Sequence, residues 1–104
     1  MSYKLFLDDE RMPVDPENWV IVRSFHEAIE AMEVLGFPNF ISFDHDLGSG
    51  LTGYDFCQYL VELDMDKKVL SEDFSFYVHS QNPIGKKNIE AFMNNYLEFK
   101  ANNE

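Results

Sequence analysis

The chain has 104 residues, which bounds it to a single domain over residues 1–104 with one core, and ten Phe, five Tyr and one Trp supply bulky core material. Eight basic against 19 acidic residues give a net charge of −11, a field that repels polyanions and argues against binding along extended duplex DNA or RNA. A small phosphorylated ligand, or one nucleic-acid end, stays open wherever a site supplies local positive charge.

Residues 3–7, Tyr-Lys-Leu-Phe-Leu, read as a first strand that ends in Asp8, Asp9 and Glu10. Residues 11–16 carry two prolines and no helical period, so a loop takes the place of the first crossover helix. Residues 19–23, rich in β-branched side chains, form the second strand. Ser24 and Glu27 have capping-box spacing, and Ala28, Ile29, Met32 and Leu35 make an apolar helical stripe that stops at Gly36 and Pro38.

Phe40-Ile41-Ser42-Phe43 is the third strand, followed by Asp44, His45, Asp46 and Leu47. Gly48, Gly50 and Gly53 mark a loop. Thr52 with Asp55 caps a second helix carrying Phe56, Tyr59, Leu60 and Leu63, and residues 64–73 read as a polar connection. Residues 74–78 are the fourth strand, ending in His79, Ser80, Gln81 and Asn82. The last helix begins near Pro83, buries Ile89, Phe92, Met93, Tyr96 and Leu97, and frays over residues 100–104.

Strands alternating with helices specify an α/β fold with a parallel sheet of about four strands and three helices. Ligands of such sheets bind beyond the carboxyl ends of the strands, where strand order reverses. Here those ends carry Asp8 and Asp9, then Asp44, His45 and Asp46, then His79 and Ser80. Carboxylates gathered that closely need shared protons or a cation, and Mg²⁺ favours carboxylate oxygens. We therefore expect Asp8, Asp9 and Asp44 to hold Mg²⁺ or Mn²⁺. Strand alternation sends Asp44 and Asp46 to one side and His45 to the other.

His79 is either a proton carrier or a hydrogen-bonded histidine at a strand end. His26 reads as a surface residue. At the start of the last helix, Asn82 and Lys86 stand where free backbone N–H groups attract phosphate. Arg11 and Arg23 either grip a phosphate or pair with the aspartates. Cys57 is the lone cysteine and falls in a helical pattern, so it reads as a small core residue. There is no signal-peptide pattern and no run near the ~20 apolar residues that a bilayer requires, so we expect a cytoplasmic, non-membrane protein.

Leu7-Asp8-Asp9-Glu10, Phe43-Asp44 and Gly53-Tyr54-Asp55 resemble the response-regulator receiver domain, a flavodoxin-like fold. In that family an acidic pair binds Mg²⁺ and an Asp closing the third strand accepts a phosphoryl group; Asp8, Asp9 and Asp44 occupy those places. Receivers also carry a lysine after a fifth strand, which this chain lacks, and a helix between the first two strands.

A closer resemblance is to the cyclic-phosphate processing receiver domains. It rests on Leu7-Asp8-Asp9-Glu10-Arg11 with Pro13, the strand at residues 19–23, Asp44-His45-Asp46-Leu47-Gly48, Gly53-Tyr54-Asp55 and Val78-His79-Ser80-Gln81-Asn82, over roughly residues 3–98. The resemblance implies a metal-dependent phosphoesterase acting on cyclic phosphates of nucleotides or RNA ends. Asp44 and His79 would be catalytic, and Arg11, Ser80 and Lys86 would bind phosphate. His45, Asp46 and Asn82 are further candidates. The alternatives are a phospho-accepting signalling module and a non-catalytic nucleotide- or protein-binding module. Oligomeric state is open.

Overall fold

The computed structural model describes residues 3–47 and 50–102. Its order is β1 (Lys4–Leu7), β2 (Val20–Val22), α1 (Phe25–Leu35), β3 (Phe40–Phe43), α2 (Gly53–Lys67), β4 (Ser75–Val78) and α3 (Pro83–Asn102). The four strands form one parallel sheet in the order β2-β1-β3-β4. This is the receiver-like α/β architecture expected from the sequence. Between β1 and β2 the only helical turn is the short 3-10 segment Pro16–Asn18, so the proline-bearing stretch makes the crossover without an α-helix.

The period-2 alternation of the strands gives the two sheet faces different tasks. Leu5, Leu7, Val22, Ile41, Phe43 and Val78 point one way and form a single buried cluster with residues of all three helices, among them Ala28, Met32, Phe56, Leu60, Ile89 and Met93. The helices therefore lie on one face. On the opposite face the register aligns Ile21, Phe6, Ser42 and Tyr77 across the four strands. Trp19 covers part of that face, meeting Phe6 edge-on at 5.6 Å and Phe40 at 5.8 Å. Tyr77 remains 56% exposed there, because no described helix packs over β4 on this side.

Local chemistry starts each helix. Ser24 accepts from the Glu27 N–H, while the Glu27 carboxylate takes the Arg23 N–H rather than that of Ser24. Thr52 and Asp55 form a complete capping box. Asn82 caps α3 by accepting from the Gly85 N–H.

Two of the helices, α2 and α3, run further than their sequence signals, while α1 ends before Gly36 as its signals specify. α2 continues through Lys67, because the buried Asp64 is fixed by the Leu70 N–H, the Tyr96 hydroxyl and the Lys100 ammonium at 2.8, 2.6 and 2.8 Å. The same bonds hold Lys100 in α3, which is helical to Asn102 instead of fraying from residue 100. Leu35, assigned to the core stripe of α1, is half exposed at the helix end. Gly48, Asn103 and Glu104 lie outside the described residues. No described helix is long and apolar enough to cross a membrane.

Candidate functional site

The sheet register builds the site. Leu7, Phe43 and Val78 are aligned across β1, β3 and β4, so the residues that follow them stand in one row. Backbone bonds carry the ladder one step past each strand end: Asp8 N–H to Val22 at 3.1 Å, Asp44 N–H to Leu7 at 2.9 Å and His79 N–H to Phe43 at 2.9 Å. Asp8, Asp44 and His79 share the parity of Phe6, Ser42 and Tyr77, which sends their side chains toward the helix-free face. The row crosses the β1/β3 boundary, where the connections part to opposite sides of the sheet.

The Asp8 carboxylate is buried and amply partnered. One oxygen accepts the Glu10 and Arg11 N–H groups, both at 2.9 Å; the other meets the His79 Nε2 at 2.9 Å and the Arg11 Nε at 3.1 Å. Burial by itself raises the pKa of this carboxyl. The Arg11 and Glu10 N–H groups, the His79 ring and the Arg11 charge outweigh it, and Asp8 sits below the usual carboxylate range.

Asp44 is also buried but more loosely held, with Arg11 Nη2 3.8 Å away. Burial pushes its carboxyl up and the Asp8 charge pushes the same way. The Ser80 hydroxyl, Arg11 and His79 offset only part of this, and Asp44 ends above the usual range. The two carboxyls are thus driven apart, as in any site where like charges crowd.

His79 lies flat across the sheet, stacked on Phe6 with ring centroids 4.6 Å apart and planes 7° from parallel. Its Nε2 faces Asp8 and its Nδ1 faces the buried Ser42 hydroxyl at 2.7 Å. With a carboxylate on Nε2, the proton of the neutral ring belongs on Nε2 and the Ser42 hydroxyl donates to Nδ1. Ser42 is a buried residue of the candidate site that the sequence did not single out. Its signal was available: it is the one polar residue in an otherwise apolar strand, two positions before Asp44.

The remaining sequence-nominated residues divide by position. Asp9 and Asp46 line the same cleft as Asp8, Arg11 and Asp44, joined there by Glu10 and Gln81, which the sequence did not single out as site residues, and the cleft has a volume of about 580 Å³. That lies within the usual range for small-molecule sites, roughly 300–1,000 Å³. Ser80 adjoins Asp44 and accepts the Asn82 N–H at 3.1 Å. His45 turns to the helix side, its Nδ1 3.0 Å from Asp46, with its ring against the first turn of α3. Asn82 caps that helix. Lys86 lies over the Tyr77 ring at 5.7 Å and is not among the cleft-lining residues. Arg23 staples the β1–β2 loop, donating to the carbonyls of Asp8 and Arg11 at 3.0 and 2.6 Å. Cys57 is buried away from the cleft, and burial pushes its thiol far up, so it packs as a core residue.

A divalent cation fits this donor set. One oxygen each of Asp8 and Asp44 and a ring nitrogen of His79 all lie within 4.8 Å of one another. The described cleft lining holds five carboxylates, Asp8, Asp9, Glu10, Asp44 and Asp46, against the single guanidinium of Arg11. Hard oxygen donors of this kind suit Mg²⁺ or Mn²⁺.

Comparison with known proteins agrees with the receiver-like topology. No curated protein and no solved structure gives a significant match. The profile of the cyclic-phosphate processing receiver domain matches residues 3–95, a span that contains every strand and all the residues of the cleft. The chain belongs to the family of cyclic-phosphate processing receiver domains.

Proposed function

We propose that the protein is a metal-dependent phosphoesterase that opens cyclic phosphates of nucleotides or RNA ends. The observation that carries this reading is the pair of buried carboxylates, Asp8 and Asp44, at the ends of adjacent strands, facing a cleft that is otherwise acidic. Without a cation that cleft repels any phosphate, so anion binding and cation binding go together.

Asp8 and Asp44 would hold Mg²⁺ or Mn²⁺; Asp9, expected from the sequence as a third ligand, lines the cleft but is not in the close group formed by Asp8, Asp44 and His79. The bound ion would supply charge to a phosphoryl oxygen and acidify a water. Arg11 presents a planar fork that suits phosphate oxygens. Ser80 positions the Asp44 carboxyl. We give His79 a holding role in place of the proton-carrying role read from the sequence. Both its ring nitrogens are engaged, and metal-site carboxylates depend on such outer partners for orientation. Asp46, which lines the cleft and is bonded to His45, would take the proton from water. In the reaction, water oxygen bonds to phosphorus, one ring P–O bond breaks, and the freed sugar oxygen gains a proton, leaving a phosphomonoester.

Purified protein incubated with 2′,3′-cyclic nucleotides and Mg²⁺ or Mn²⁺ should form monophosphates. Chelation should stop this reaction, and Asp44→Ala should lower the rate by at least about a hundredfold. No turnover with either metal, or turnover that Asp44→Ala leaves intact, would refute the proposal.

A second reading takes Asp44 as a phosphoryl acceptor. The Ser80 hydroxyl hydrogen-bonded to Asp44 favours it. The described cleft lining contains no lysine, which counts against it.

A further inference from the structure

We propose that Arg11 is a displaceable counter-ion that couples metal binding to phosphate binding. The inference rests on the metal-site reading above and adds a residue-level linkage between its two ligands. Arg11 is 42% exposed at its side chain, yet its guanidinium reaches inward to bridge the two buried carboxylates, 3.1 Å from Asp8 and 3.8 Å from Asp44. It is the one cation lining the described cleft. The guanidinium therefore occupies, in charge and in partners, the role that a divalent cation would take.

Both cannot hold the pair at full strength. A divalent ion on Asp8 and Asp44 satisfies the oxygens that Arg11 now contacts and repels its charge. The Arg11 backbone need not move, because its N–H stays on the other Asp8 oxygen and its carbonyl stays on Arg23. Only the long side chain swings, and it swings into the cleft mouth, where a phosphate on the ion would meet it. Arg11 thus opposes the metal when the cleft holds no anion and favours it when an anion is present. The ion-pair distances make the Asp8 contact the stronger restraint and the Asp44 contact the one that yields first.

The linkage predicts that one substitution moves two affinities in opposite directions, which simple damage to the site would not do. Calorimetric titration of Mn²⁺ into metal-free protein should show Arg11→Gln binding roughly three- to tenfold tighter than wild type. Titration of adenosine 2′-monophosphate into Mn²⁺-saturated protein should show Arg11→Gln binding about tenfold weaker. Arg11→Lys keeps the charge without the fork, so its Mn²⁺ affinity should fall between the two. It serves as the second variant if Arg11→Gln loses its urea-unfolding transition. Equal or weaker Mn²⁺ binding by both variants overturns the exchange while leaving the metal site standing. Tighter Mn²⁺ binding with unchanged nucleotide binding overturns the coupling. No Mn²⁺ binding by wild type or variants overturns the metal reading and the exchange together.

Discussion

Asp8 and Asp44 are both buried at strand ends, but their surroundings treat them in opposite ways. Asp8 receives four hydrogen-bonding contacts that favour its charge; Asp44 has a long contact to Arg11, and the repulsion of Asp8 adds to its burial. A carboxyl whose folded pKa is raised stabilises the fold below its unfolded pKa and loses that contribution as pH rises through the folded value. In metal-free protein at neutral pH, ionised Asp44 therefore weighs against folding. Asp44→Asn should raise stability at pH 7 by roughly 0.5–2 kcal/mol in urea titrations. The gain should shrink as pH is lowered into the range where wild-type Asp44 is protonated, and the variant should lose stabilisation by Mn²⁺. A variant less stable than wild type at pH 7 would show that Asp44 is a structural cap instead. Asp8, Asp44 and His79 were legible in the sequence because each directly follows an apolar strand. The bond from Ser42 to His79 joins residues 37 positions apart and was not, since nothing local ties a hydroxyl inside β3 to the end of β4. The position of Lys86 over Tyr77 likewise depends on which strand α3 passes.

Among the elements, the ladder sets the site and the helix starts brace it. Gly53 and Gly85 open α2 and α3, and both abut the segment after β3. A Cβ on Gly53 would sit 2.0 Å from the Asp44 carbonyl oxygen, and one on Gly85 would sit 2.4 Å from the His45 ring. The Gly53 neighbour is backbone and cannot rotate aside. Gly53→Ala should thus cost roughly 1–3 kcal/mol and weaken Mn²⁺ binding by shifting Asp44. Stability and metal affinity both at wild-type levels would mean that the approach of α2 does not position Asp44. The sequence marked Gly53 as a loop residue; its need for close approach appears only once α2 docks on β3. Caps and apolar periods located all three helices. The end of α1 at Gly36 was legible from the glycine itself, whereas the C-terminal extents of α2 and α3 were not, because Asp64, Tyr96 and Lys100 pin them through contacts more than 30 residues apart in sequence.

At the scale of the molecule, one helical layer covers one side of the sheet, and the side chains of the catalytic proposal emerge on the other. Alternating strand and helix patterns made the parallel sheet readable, and the two prolines after Arg11 made the missing crossover helix readable as well. The one-sided layering was not, because it depends on the order β2-β1-β3-β4 and on the direction of each crossover. A net charge of −11 sits on this small body, and the cleft concentrates five of the carboxylates. Sharing of one divalent ion by Asp8 and Asp44 is what would turn such a cleft into a phosphate site. Crystals grown with Mn²⁺ and measured for anomalous scattering test it most directly. The expected result is one peak bonded to oxygens of both Asp8 and Asp44, with the Arg11 guanidinium withdrawn from Asp44. An absent peak at saturating Mn²⁺, or an ion held by Asp9 or Asp46 while Asp8 and Asp44 stay bridged by Arg11, would contradict it.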